Sequence, residues 1–140
     1  MDRTDIRMCG MQVVEKIIVP DHIILSDPLE KIYVCSPYRG NVSQNMENTR
    51  KYCRFVLLQG KIPVAPHLML PQFMSEKTER EEALAANLSF LEDCTELWAF
   101  VENEDCQVTE GMAYEISHAN KVRYVTCSPA IREMIHLPEE

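Results

Sequence analysis

Apolar runs alternate with amphipathic segments from residue 31 onward, and this alternation predicts the secondary structure. Runs rich in apolar and β-branched residues predict strands at residues 32–35, 62–65, 96–101 and 122–126. Helical spacing of apolar residues predicts helices at about 43–59, up to about 92 and over 110–120, with a short one after Pro129. Alternating strands and helices predict an α/β fold. We expect a three-layer sandwich whose Rossmann-like parallel sheet of four to five strands has helices on both faces.

Local signals set the predicted helix ends. Asn41 or Ser43 is a candidate N-cap for the first long helix, and Gly60 is its stop signal. Thr78 and Glu81 have the spacing of a capping box and predict the start of the second helix.

The first thirty residues follow no such pattern. Residues 11–20 and 22–28 carry β-branched residues around a Pro-Asp pair. We predict that residues 1–30 form an N-terminal extension, either a hairpin or a packing arm, and that residues 31–140 form one domain.

The charge and hydropathy totals narrow the class of partner. A formal net charge of −8 argues against nucleic acid and anionic membranes, because both favour a basic surface. A small anion could still bind in a locally basic pocket. No apolar run approaches the ~20 residues needed to span a bilayer, and the N-terminus lacks a secretory pattern. We therefore expect a cytoplasmic protein.

The cysteines and histidines do not have the spacing of a metal site. The six cysteines, at positions 9, 35, 53, 94, 106 and 127, include no C-x-x-C pair, and most lie in apolar runs. We expect reduced thiols, no metal and no cofactor.

Three loops follow predicted strands, at residues 36–41, 66–73 and 102–111. Parallel strands end at one edge of the sheet, where open α/β sheets bind ligands, so we expect these loops to meet.

The first and third loops carry groups that suit an anion. Ser36 offers a hydroxyl, Arg39 can make forked hydrogen bonds to phosphate or carboxylate, and Gly40 allows a tight turn. Thr109 opens the third helix, whose N-terminal N–H groups attract anions. Gly111 leaves room for a ligand to approach the backbone.

Two further residues are candidates for chemistry. Glu115 lies one to two turns into the third helix and could act as a nucleophile or base, or be a surface glutamate. His67 could contact a substrate or be tied into its proline-rich loop by hydrogen bonds. Glu110 is five positions before Glu115, so we interpret it as a first-turn carboxylate.

The segments IYVCSPYRG and TEGMAYEISHA, with the strand ELWAFV between them, resemble a known family. They are similar to the nucleoside 2-deoxyribosyltransferase superfamily, including its 2′-deoxynucleoside 5′-phosphate N-hydrolase branch. Related bacterial and phage proteins share the APHL and PQF elements. The resemblance covers about residues 31–125.

This resemblance implies cleavage or transfer at the N-glycosidic bond of a nucleoside or its 5′-monophosphate. Glu115 matches a glutamate that attacks C1′ and forms a covalent glycosyl-enzyme, which water or a second base resolves. Thr109 falls where the transferases carry an aspartate and the hydrolases a phosphate-binding serine. A homodimer or larger assembly is also implied. The residues that match the sugar- and phosphate-holding loop are Tyr33, Ser36, Arg39 and Gly40.

One position departs from the family pattern. Asn87 stands where the family has a second carboxylate, and general acid–base help is worth ~10²–10⁴-fold in rate. The chain could therefore be a slow enzyme or a non-catalytic binder of a nucleotide or nucleotide-derived signal. A scaffold with a vestigial pocket is a third option. The candidate substitutes for the missing group are His67, Asp93, Glu102, Glu104 and Asp105.

Overall fold

The computed structural model describes residues 22–139, and at its centre is a four-stranded parallel sheet. The strands are β1 (Lys31–Cys35), β2 (Ile62–Val64), β3 (Glu96–Val101) and β4 (Val122–Thr126). Their order across the sheet is β2-β1-β3-β4, and every neighbouring pair is parallel.

Helices follow the strands along the described chain. They are α1 (Val42–Leu58), α2 (Arg80–Glu92), α3 (Glu110–His118) and α4 (Pro129–Glu133). Two 3₁₀ turns, Pro66–Leu68 and Leu70–Gln72, lie between β2 and α2.

The sheet is buried on both faces because successive strand side chains point in opposite directions. On one face, Ile32 and Val34 of β1 pack in a cluster that includes Tyr52, Phe55 and Val56 of α1. The opposite cluster contains Tyr33 and Cys35 of β1, Leu91 of α2 and Met112 of α3. The helices therefore cover both faces, and the predicted three-layer α/β fold is confirmed.

Most predicted boundaries hold to within two residues, but the capping box at Thr78 is wrong. The helix α2 begins at Arg80, and Glu79 occupies the N-cap position without a side-chain cap. The Glu79 carboxylate instead accepts a hydrogen bond of 2.7 Å from the backbone N–H of Ser75. Thr78 belongs to the preceding turn. By contrast, the Asn41 side chain caps α1 by accepting from the N–H of Gln44 at 3.2 Å.

Residues 22–30 contain no helix or strand. They are joined to the domain where the N–H of Ser26 donates to the carbonyl of Gly60 at 2.8 Å. The rest of the predicted extension, with its possible hairpin strand at 11–20 and Cys9, lies outside the described residues. The five cysteines among residues 22–139 are free thiols. Among residues 22–139, no helix is both long and apolar enough to cross a membrane.

A pair of glycines allows the contact between residues 22–30 and the domain to be tested. Gly60 has φ +83° and a Cβ there would lie 2.5 Å from the carbonyl oxygen of Ile24, whereas Gly40 has φ +95° with nothing within 4 Å. Left-handed backbone costs an L-residue ~1–2 kcal/mol, so Gly40→Ala should lower the free energy of unfolding by about that amount. Gly60→Ala should cost more, because the clash is added. Urea denaturation measures both, and equal losses would contradict the contact.

Candidate functional site

The sheet order creates a crevice beside β1. The chain leaves β1 through α1 on one face toward β2, and it leaves β3 through α3 on the other face toward β4. The loops after these two neighbouring strands therefore diverge, which is where open α/β sheets bind ligands. A cavity of about 190 Å³ lies between them.

The predicted meeting of the three loops in one crevice is confirmed. The predicted site residues that line the cavity are Ser36, Arg39, His67, Asn87, Thr109, Gly111 and Glu115. Tyr33 and Gly40 do not line it. Tyr33 is 1% exposed and lies against Glu115, whereas Gly40 is exposed in the turn before α1. The roles of all nine residues in binding or catalysis stay predictions.

Glu115 is buried on the inner side of α3, with only 3% of the residue exposed, so the interpretation as a surface glutamate is wrong. The Tyr33 hydroxyl donates a hydrogen bond to its Oε2 atom. Burial raises the pKa of Tyr33, and the neighbouring Glu115 raises it further, so this hydroxyl keeps its proton. Oε1 is buried with no hydrogen-bond partner among the described residues. Tyr33 therefore holds one oxygen of the carboxylate, and the other has no partner within residues 22–139.

Burial raises the pKa of Glu115 to about 6, although the hydrogen bond from Tyr33 and the nearby Cys35 thiol oppose the shift. Glu96 shows what a fully satisfied buried carboxylate looks like in the same protein. Its Oε1 accepts from the Trp98 indole at 3.0 Å and pairs with Arg123 at 2.7 Å, and Oε2 pairs with Lys121 at 3.2 Å. The pKa of Glu96 is lowered, because these partners outweigh its burial. In the described part of the chain, Glu115 has no such cation beside it.

Asn87 contributes a second unpaired acceptor to the cavity. It lies on the buried face of α2, one turn from Ala83 and one from Leu91, and is 7% exposed. Its Oδ1 atom has no hydrogen-bond partner within residues 22–139. Leaving a buried polar atom unpaired costs ~1–3 kcal/mol, so both Asn87 and Glu115 favour a ligand that donates hydrogen bonds.

Ser36 also presents an acceptor, because its own proton is used elsewhere. Its hydroxyl lies 2.8 Å from that of Thr49, which itself donates to the carbonyl of Asn45 at 2.8 Å. Ser36 must therefore donate to Thr49, which leaves only oxygen lone pairs for the cavity.

Two arginines also line the cavity and provide hydrogen-bond donors, in contrast to the acceptors described above. Arg39 and Arg80 each lie 3.1 Å from the same oxygen of Glu76, and all three side chains line the cavity. One carboxylate neutralises only one guanidinium, so the group keeps a positive charge in a protein of net charge −8. Arg80 and Glu76 were missed in the sequence, where their four-residue spacing at the start of α2 was the available signal.

The start of α3 lies next to this basic group. The Thr109 hydroxyl caps the helix by accepting from the N–H of Met112 at 3.1 Å. A Cβ at Gly111 would meet only that hydroxyl, at 4.0 Å, so the backbone here is open. Glu110 is an exposed first-turn residue, as expected, and it also lines the cavity.

A family comparison adds to this geometry. The profile of DUF7768, described as a domain of unknown function, matches residues 30–127. The chain belongs to the DUF7768 family. The matched region runs from the start of β1 past the end of β4 and contains every residue that lines the cavity. No curated protein matches the sequence. Within residues 22–139, no group of three or more histidine, cysteine or acidic side chains is arranged to hold a metal ion.

The pKa of Glu115 makes stability depend on pH. A carboxyl whose pKa is higher in the folded state stabilises the fold fully below its unfolded value of 4.5 and loses that stabilisation as pH rises through about 6. The shift corresponds to about 2 kcal/mol. Gln cannot ionise at position 115. The free energy of unfolding of Glu115→Gln minus that of the parent should therefore be about 2 kcal/mol larger at pH 7.5 than at pH 4.5.

Urea denaturation at the two pH values measures this difference. Glu133→Gln is the matched control, because Glu133 is exposed at the end of α4. It should show no comparable change. If the gap between Glu115→Gln and the parent is the same at both pH values, Glu115 is not a buried titrating carboxyl.

Proposed function

We propose that this DUF7768 protein cleaves or transfers the N-glycosidic bond of a nucleoside or nucleoside 5′-monophosphate, with Glu115 as the nucleophile. The observation that carries the proposal is the buried carboxylate, held at Oε2 by Tyr33 and unpaired at Oε1, on the wall of a cavity. A nucleophile needs one free oxygen in a defined position, and this arrangement provides it.

The proposed reaction begins with attack of the free Oε1 of Glu115 on C1′ of the sugar. The C1′–N bond breaks, and its electron pair leaves with the base. The resulting glycosyl-enzyme is then resolved by water or by a second base, which is two-step retaining chemistry. The resemblance of the first and third loops to the deoxyribosyltransferase superfamily supports this order of events.

The separation of donors and acceptors in the cavity supports a phosphorylated sugar as ligand. Arg39, Arg80 and the N-terminus of α3 provide positive charge and N–H donors, which suit a phosphate. Ser36, Asn87 and Glu115 provide acceptors, which suit sugar hydroxyls. The homodimer and the cytoplasmic location expected from the sequence stay predictions.

A non-catalytic nucleotide binder is the second candidate, and Asn87 favours it. Asn87 stands where the deoxyribosyltransferase superfamily has a second carboxylate, and a neutral amide cannot exchange a proton with the base. The same basic group and acceptors would still bind a nucleotide. The two candidates differ in whether free base is released.

Catalysis is tested by two substitutions that act in opposite directions. Glu115→Ala should abolish base release while leaving nucleotide binding largely intact, because attack on C1′ needs the carboxylate and the phosphate contacts do not. Asn87→Asp restores a group that can carry a proton, so it should raise the rate, by up to the ~10²–10⁴-fold that acid–base help contributes. Chromatography of free base from purine and pyrimidine nucleotides measures both. Binding without base release, in the parent and in Asn87→Asp, would decide for the binder.

The basic group should make the protein prefer nucleotides to nucleosides. Charge-assisted hydrogen bonds contribute ~1.5–3 kcal/mol, so Arg39→Ala should weaken binding of a nucleoside monophosphate at least ~10-fold. Arg80→Ala should act in the same direction, and the double variant should lose most of the preference for nucleotide over nucleoside. Calorimetric titration measures the affinities.

The control is Arg50→Ala, because Arg50 pairs with Glu47 on the exposed side of α1 and does not line the cavity. It should keep the preference of the parent. Equal affinity of the parent for nucleoside and nucleotide would show that the arginines do not bind phosphate.

A further inference from the structure

A base that leaves C1′ with an electron pair needs a proton, and Asn87 cannot supply it. The ionisable side chains that line the cavity are Tyr38, Arg39, His67, Glu76, Arg80, Glu110 and Glu115. The arginines keep their protons in proteins, and Glu115 is the proposed nucleophile. Glu76 already accepts hydrogen bonds from both arginines, so it is bound as a carboxylate. Glu110 lies exposed in the first turn of α3.

The other acidic candidates from the sequence lie elsewhere. Asp93 lines a separate groove beside β2. Glu102 pairs with Arg132 at 2.8 Å and lines a different recess. Glu104 and Asp105 are exposed and do not line the cavity. This leaves His67 as the substitute that the structure places at the site.

His67 is placed on the side of the cavity opposite to the nucleophile. It lies in the 3₁₀ turn after β2, whereas Glu115 lies on the helix after β3, and these two strands flank β1 on opposite sides. A nucleophile and an acid must likewise flank the bond that breaks. His67 and Asn87 also line a smaller recess together, so the histidine lies next to the position of the missing carboxylate.

The imidazole is held by packing and keeps its nitrogens available. Its ring lies 5.0 Å from the ring of Tyr38, at an interplanar angle of 43°. No hydrogen bond to either ring nitrogen is recorded within residues 22–139, so the interpretation that hydrogen bonds tie His67 into its loop is not supported. A ring that packing positions and no partner occupies can exchange a proton with a ligand.

We propose that His67 is the acid that protonates the departing base, in place of the second carboxylate of the deoxyribosyltransferase superfamily. This inference rests on the proposed function. As Oε1 of Glu115 bonds to C1′ and the C1′–N bond breaks, the imidazolium of His67 gives its proton to the base. In the second step, water attacks C1′, His67 takes a proton from that water, and Glu115 leaves as a carboxylate. His67 ends protonated, so the cycle balances.

The pH dependence of this mechanism follows from two groups. Burial lowers the pKa of His67 below its ordinary value, and Glu76 opposes the shift. The charged groups that face His67 across the cavity are Arg39, Glu76, Arg80, Glu110 and Glu115. Rate should rise as Glu115 ionises near pH 6 and fall as His67 loses its proton, which gives a bell-shaped profile.

The test compares two leaving groups in one variant. A purine nucleotide methylated at N7 carries a positive charge on its base, which can leave without being protonated, whereas the unmodified purine nucleotide needs a proton. His67→Gln should lower kcat/KM for the unmodified nucleotide ~10²-fold and change it less than ~3-fold for the methylated one. The ratio of the two values does not depend on how much of the variant is folded. His67→Asn provides a second measurement of the same ratio.

The control is His118→Gln, because His118 is exposed at the end of α3 and does not line the cavity. It should leave both values unchanged. His67→Gln should also lose the alkaline fall in rate, and it should cost less in an Asn87→Asp background, where a second acid is present. Equal loss with both nucleotides, or no loss with either, would overturn the role of His67. If the parent releases base from neither of these nucleotides, nor from pyrimidine nucleotides, the proposed function itself is overturned, and this role with it.

Discussion

The hydrogen bond from Tyr33 to Glu115 joins the central strand to the helix on which the proposed chemistry depends. Tyr33 is fully buried in β1, between β2 and β3, and its position is fixed by the pairing of three strands. Through this bond the sheet sets the orientation of a carboxylate that pairs with no cation within residues 22–139. Burial raises the pKa of Glu115 to about 6, and the hydrogen bond from Tyr33 limits the rise.

The domain contains two buried carboxylates, Glu96 and Glu115, whose surroundings differ. Glu96 has a partner for each oxygen and lies at the amino end of β3, where it contributes to packing of the strand. Glu115 lies on α3, above the carboxyl ends of the strands, with one oxygen unpaired. The second arrangement costs stability, and proteins keep such a cost where a ligand or a reaction uses it.

The cavity also brings two arginines close together in an acidic protein. Arg39 comes from the loop after β1 and Arg80 from the start of α2, and both pair with Glu76. A salt bridge this exposed is weak, so a phosphate can replace the carboxylate at little cost. Asn87 and His67, on which the proposed proton transfer depends, line the same cavity.

The sequence alone determined the order of the elements, because the apolar periods of strands and helices are local properties of the chain. It also placed Ser36, Arg39, His67, Thr109 and Glu115 at the edge of the sheet, since parallel strands end together. The sequence did not predict the start of α2 correctly. Thr78 and Glu81 have the spacing of a capping box, but the helix begins at Arg80 and Glu79 occupies the N-cap position. A local pattern shows that a residue is able to cap a helix, and the conformation of the neighbouring backbone determines whether it does.

Tertiary structure decided which polar atoms lack partners. Whether Glu115 is buried, what holds its second oxygen, and whether Asn87 is satisfied depend on residues up to 82 positions apart in the chain. The same is true of the shared Glu76, whose contact with Arg39 spans 37 positions. Hydrogen bonds over such separations follow from the packing of the sheet and its helices, which no local pattern of residues encodes.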